Sequence, residues 1–166
     1  MHTTLLRLLF AAIVIGSTSF VYLTSGQLPD PVASKFNTDS HATSYMSRDA
    51  YRALMTFGTL ALPFALLAVQ VWLPRVRPRF ISIPNRDYWL TPERRPQVLA
   101  YLERHTLIFG SAAPLFFAGM HWLIAQANTR VPPQLDNPPF LLMTGVFVLC
   151  TIAAAVTVSL RFRRTA

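Results

Sequence analysis

Side chains able to do chemistry are few in this 166-residue chain, and their spacing assembles no catalytic set. Seven carboxylates are present: Asp30, Asp39, Asp49, Asp87, Glu93, Glu103 and Asp136. An acyl-transfer site needs nucleophile, base and orienting acid within hydrogen-bond reach of one another. Long apolar segments divide the acids into Asp30, Asp39, Asp49 and Asp136 on one side and Asp87, Glu93 and Glu103 on the other. No triad can draw on both sets. The tightest grouping is Asp30, Lys35, Asp39 and His41, which follows no metal-ligand spacing. Cys150 is the only cysteine, so it lacks a disulfide partner and a second thiol for a metal, and reads as a packing residue. His121, beside Trp122, has two readings. It is an interfacial histidine of an aromatic belt, or it joins His41 or an acid of the same side in a metal or proton site. No H-x-x-x-H spacing supports the second. No enzyme activity, cofactor or metal is therefore expected.

A membrane bundle must position these residues. Four apolar stretches, Leu5 to Leu23, Ala53 to Leu73, Leu107 to Ala127 and Phe140 to Leu160, each approach the ~20 residues a helix needs to cross ~30 Å of hydrocarbon. None contains Asp or Glu. A chain 52% hydrophobic and only 13% charged, with mean hydropathy +0.38, has lipid as its main solvent. The expected fold class is all-α: an integral membrane four-helix bundle forming a single membrane domain over 1–166. Its connections are a long outer loop at 24–52, an inner loop at 74–106 carrying a short interfacial cytoplasmic helix, and a second outer loop at 128–139. The first stretch lacks an A-x-A site and is long for a signal core, so it reads as an uncleaved anchor.

The basic residues orient the bundle. Of 15 Lys and Arg residues, all but Lys35 are Arg. Arg7, the arginines from Arg75 to Arg104, and Arg161, Arg163 and Arg164 flank one side, against Lys35, Arg48, Arg52 and Arg130 on the other. Loops rich in Lys and Arg stay in the cytoplasm, so both termini and the 74–106 loop are expected inside. The net charge of +8 then points to a bilayer with anionic lipids, not to nucleic acid, because the arginines flank spans instead of forming one basic face.

Inside the spans, small residues predict close helix contact: Gly16 to Ser19 in the first, Gly58 and Thr59 in the second, Gly110 to Ala113 in the third, and Gly145 with Ala153 to Ala155 in the fourth. Pro63 and Pro114 predict kinks. Ion-coupled carriers place charged side chains near the midplane, and none stands there.

The loops are punctuated. Ser25 to His41 carries Pro29 and Pro31, a turn signal at Asp30, and apolar Val32 and Phe36. Ser47 is a candidate N-cap for the second span, with Asp49 in its first turn. In the inner loop, Thr91-Pro92-Glu93 is a helix-start signal that Pro96 contradicts, so the start slips to Arg95 and Pro96. Val98, Leu99 and Leu102 then share one face of a short amphipathic helix. Tyr88 and Trp89 read as headgroup-level anchors.

Two runs carry a family resemblance. Leu28-Pro29, Val32-Ala33-Ser34-Lys35-Phe36-Asn37 and Tyr45-Met46-Ser47-Arg48 resemble the outer loop of bacterial membrane proteins grouped under the domain of unknown function DUF1648. Pro84-Asn85-Arg86-Asp87-Tyr88-Trp89-Leu90-Thr91-Pro92-Glu93-Arg94-Arg95 is similar to the inner loop of a proteobacterial branch. Members usually carry His where this chain has Lys35, and a Gly soon after the Phe-Asn pair. That family also forms the N-terminal part of SdpI-type immunity proteins. The resemblance implies a multi-pass protein of the bacterial inner membrane that detects or neutralises something outside.

The expected function is sensing or neutralising an extracytoplasmic peptide or envelope component without catalysis. Recognition would fall on Lys35, Phe36, Asn37 and His41 of the outer loop. Arg86, Asp87, Tyr88, Trp89, Arg94 and Arg95 of the inner loop would contact a partner or lipid. Two alternatives stay open: an accessory or assembly subunit of a larger membrane protein complex, and a small transporter-like oligomer lined by the proline-bearing spans.

Overall fold

The computed structural model describes residues 3–163. Four helices in it are long and apolar enough to cross a membrane, Thr3–Ser25, Arg48–Val76, Arg95–Ala127 and Asn137–Arg163, as a multi-pass membrane protein requires. Each runs beyond its apolar core because flanking residues continue the helix. Helix α1 (Thr3–Ser25) buries Leu6, Phe10, Val14, Ser17, Val21 and Ser25, a stripe at the three- and four-residue spacing of one helix face.

Helix α2 (Arg48–Leu67) starts where Ser47 Oγ accepts the Ala50 N–H at 3.3 Å, with Asp49 in the first turn. Pro63 is buried within it and does not break it. Beyond Leu67 the helix widens into a π turn at Ala68–Trp72 and resumes as α3 (Leu73–Val76). Pro74 supplies the cause: it has no N–H for the Gln70 carbonyl, and its ring would collide with that carbonyl in a regular helix. The Leu73 N–H accordingly reaches back to the Ala68 carbonyl. The second span thus ends at Val76, past the Leu73 expected from hydropathy.

The inner loop also departs from expectation. Its amphipathic stretch is no separate interfacial helix but the first part of α5 (Arg95–Gly110), which with α6 (Ala112–Ala127) makes the third long helix. Val98 and Leu102 are buried in the bundle with Ile81 and Phe162, so that face meets protein instead of headgroups. Thr91 forms a turn, its carbonyl accepting from the Arg94 and Arg95 N–H groups, and the helix proper begins at Arg95. Pro114 denies a donor to the Gly110 carbonyl, and the break between α5 and α6 falls there, at Ser111. One turn, α4 (Arg86–Trp89), precedes them.

The described chain is mostly helical, at 73%, consistent with the expected all-α bundle. The 24–52 loop contains an antiparallel hairpin, β1 (Val32–Phe36) and β2 (Ala42–Met46). Helices α1, α2 and α6 pack mutually and share a core of Val21, Tyr51, Met55 and Ile124 with Leu28 and Val32 of the hairpin segment. Helix α7 (Asn137–Arg163) rests chiefly on α6 and α5, and none of its most apolar window is buried.

Candidate functional site

The hairpin is the most constructed of the connecting segments. β-branched and aromatic side chains at Val32, Phe36, Thr43 and Tyr45 favour strands. Asn37 closes the turn: its Oδ1 accepts the His41 N–H at 2.8 Å, and Ser40 takes the left-handed conformation with φ 71°. Pairing sets Val32 opposite Met46 and Phe36 opposite Ala42, with register irregularities around Lys35.

Three connections bind this hairpin to the bundle. At its base, Asp30 Oδ1 accepts the Arg48 N–H at 3.2 Å. On its flank, Asn128 at the end of α6 accepts the Ala33 N–H at 2.9 Å and donates to the Ala33 carbonyl at 3.0 Å. At its turn, the Ser40 carbonyl accepts the Leu135 N–H at 3.0 Å, and Asn137 Nδ2 donates to the Thr38 carbonyl at 2.9 Å. Beneath it Phe36 packs against Leu123, Ala127 and Leu135. The 128–139 loop is shaped by Arg130, whose two Nη atoms each meet an Asp136 carboxylate oxygen at 2.8 Å. These hydrogen bonds hold the Asp136 carboxyl below its ordinary range and raise the Arg130 guanidinium.

The sequence-predicted recognition residues therefore divide. Lys35 and His41 are exposed, as is Tyr45 on the facing strand. Phe36 points into the bundle as an anchor, and Asn37 is occupied in the turn. Asp30 and His41 stand at opposite ends of the hairpin, so the Asp30, Lys35, Asp39 and His41 grouping does not converge. Among the described residues, no three His, Cys, Asp or Glu side chains come together to hold a metal.

His121 faces the interior of the bundle. It is fully buried at 0% exposure, and its ring links three helices: Nε2 lies 2.7 Å from Thr24 Oγ1 of α1, and Nδ1 lies 3.0 Å from Tyr51 OH of α2. Phe20 meets the ring edge-on. Both ring nitrogens are engaged, so the histidine is a polar tie between helices beneath the hairpin. Its neighbour Trp122 is half exposed.

At the other end of the bundle, the inner-loop residues fold back on their own chain. Trp89 Nε1 donates to the Phe162 carbonyl at 3.0 Å, while Asn85 Nδ2 donates to the Phe162 carbonyl at 3.2 Å and to that of Arg163 at 2.8 Å. Two carbonyls near the end of the described part of α7 thereby gain partners. Arg94 covers the Tyr88 ring at 3.9 Å and donates to the Tyr88 carbonyl, and Arg95 donates to the Arg75 carbonyl. Asp87 and Arg86 remain exposed. A group missed in the sequence lies alongside: the Glu103 carboxylate, its side chain only 9% exposed, receives Arg7 Nε at 2.7 Å and also Arg75 Nη2. The Arg7 and Glu103 positions are 96 residues apart, so no local pattern could have paired them.

No protein-family model matches the chain, and no curated protein or solved structure is significantly similar to it.

Proposed function

We propose that this is a non-catalytic protein of the bacterial inner membrane, with its arginine-rich end and both termini in the cytoplasm, whose hairpin cap senses or neutralises an extracytoplasmic peptide or envelope component. The carrying observation is the bracing of the hairpin at base, flank and turn while Lys35, His41 and Tyr45 stay exposed. A mere connector needs no such bracing. A recognition surface gains from it, because a segment ordered in advance loses less conformational freedom on binding. The Lys35 ammonium has no hydrogen bond or ion pair among the described residues, which leaves its charge for an acidic group of a ligand. The likeness of residues 28–48 to the DUF1648 outer loop supports the same reading, and the eleven-to-four imbalance of basic residues supports the orientation.

A second reading, an accessory subunit of a membrane complex, is favoured by α7, whose most apolar window has no residue fully buried against the rest of the chain. One experiment separates the two. Tagged protein is purified in mild detergent from its native membrane beside a Lys35→Ala/Tyr45→Ala variant, and both are analysed by mass spectrometry. Phe36 is left intact because it anchors the hairpin. Loss of an envelope partner from the variant alone supports recognition. Recovery of one stoichiometric membrane complex from both samples overturns it in favour of the subunit reading.

A further inference from the structure

A cavity of about 610 Å³ opens between the second span, α5 and α7, within the ~300–1,000 Å³ of small-molecule sites. Leu66, Val69, Phe109, Phe147, Ala154 and Val158 make its walls apolar. It exists because α7 leans on α5 and α6 and stands away from α2, and because the π turn forced by Pro74 brings Gln70 into the wall. Gln70 Oε1 there accepts the Thr106 hydroxyl at 3.2 Å. Leu62, Val69 and Phe80 line the cavity and yet are exposed, so it communicates sideways with the surroundings of the bundle.

We propose that this cavity holds one acyl chain of an anionic phospholipid, with the phosphate against Arg77 and Arg79. Three features select that occupant. The cavity lies between membrane-spanning helices, so lipid is the solvent at its side opening. Its depth is right, since the rise of α7 from Phe147 to Ser159 is ~18 Å, close to one leaflet of a ~30 Å hydrocarbon core. The segment leading to its Phe80 wall is cationic and unneutralised. Phe80, Ser82 and Ser159 are among the lining residues, the Arg79 guanidinium lies 5.1 Å from the Phe80 ring centroid, and Arg77 precedes it in the same segment. Neither Arg77 nor Arg79 meets a carboxylate among the described residues, and the nearby Glu103 is already taken by Arg7 and Arg75. A zwitterionic headgroup offers these arginines no net charge, whereas phosphatidylglycerol does.

The test uses full-length protein in nanodiscs containing trace phosphatidylglycerol or phosphatidylcholine with a photoreactive acyl chain. Peptide mapping then locates the crosslinks. The phosphatidylglycerol probe is expected to label peptides 62–70 and 147–159 at least about tenfold more than the phosphatidylcholine probe. Ala154→Trp, which fills the cavity, should abolish that labelling, and Leu142→Trp on an exposed face of α7 should not. Arg77→Ala/Arg79→Ala alters exposed side chains only and should remove the headgroup preference while leaving the thermal transition in place. It carries the test if Ala154→Trp fails to fold. Equal labelling by both probes, unchanged by the arginine variant, overturns the proposal in favour of bulk lipid contact. Cys150-to-Cys150 crosslinking between copies, with no lipid label, overturns it in favour of a second chain. Neither outcome touches the hairpin reading, whose test rests on Lys35 and Tyr45.

Discussion

Asn128 grips both backbone groups of Ala33, accepting its N–H at 2.9 Å and donating to its carbonyl at 3.0 Å. Ala33 is fully buried, so water cannot replace those bonds. Asn128→Ala should leave buried peptide groups unpaired and cost about 1–3 kcal/mol of local stability. Hydrogen exchange in nanodiscs should show faster exchange through 32–46 with the helices unchanged. Unaltered exchange at Ala33 would mean that strand pairing alone holds the hairpin.

Gly58 is a close-contact site between α2 and α6. A Cβ there would lie 2.6 Å from Phe117 Cε1, in the body of an aromatic ring. Gly119 has a still shorter approach, 2.3 Å, but to Met143 Sδ on a flexible thioether of α7. Gly58→Ala should therefore destabilise by about 1–3 kcal/mol, and Gly119→Ala by less than about 1 kcal/mol as the methionine swings aside. Thermal unfolding in detergent measures both. Phe117→Leu should restore the Gly58→Ala protein, and a reversed order of the two glycine variants would refute the assigned packing.

Glu103 answers two arginines with one carboxylate, and its variants should rank accordingly. Glu103→Gln leaves Arg7 and Arg75 facing each other across a buried amide. Arg7→Ala or Arg75→Ala leaves the carboxylate with one partner. The arginines are half exposed, at 56% and 44%, so each single arginine loss should cost only ~0–1 kcal/mol. Glu103→Gln should cost more, about 2–3 kcal/mol, less than a fully buried pair because water screens the guanidinium side. An arginine variant as unstable as Glu103→Gln would show that guanidinium packing, not charge, joins α1 and α3 to α5.

These residues mark where the sequence is legible and where it stops. The four spans follow from apolar runs and flanking arginines, which are local properties of the chain. The Ser47 cap and the start of α5 at Arg95 are equally local, since a hydroxyl and Pro96 act within a turn of themselves. The hairpin was missed because Val32 to Phe36 alternates imperfectly, the turn lacks an Asn-Gly pair, and its decisive ligand, Asn128, lies 95 residues on. The partners of His121 were hidden for the same reason, Thr24 and Tyr51 being 97 and 70 residues away. The π turn was derivable in principle: Pro74 sits where the hydropathy pattern ends, and the helix continues because α5 packs on it.

The Arg130–Asp136 fork makes the cap sensitive to acid in a defined direction. Folding lowers the Asp136 carboxyl from its ordinary 3.8, first through the hydrogen bonds from Arg130. Stabilisation from a lowered carboxyl is complete above its unfolded value and disappears as pH falls through the folded one. The fork shapes the loop that presents the Leu135 N–H to the Ser40 carbonyl, so the hairpin turn should loosen in the same window. Exchange of the Leu135 and His41 amides, corrected for intrinsic chemistry, should stay slow from neutrality down through the ordinary carboxylate range and rise only in stronger acid. Asp136→Asn should exchange at neutral pH as fast as the parent does in acid, and lose most of the pH response. A parent and variant with identical acid profiles would assign the transition to another carboxylate, with Asp30 at the hairpin base next to be replaced.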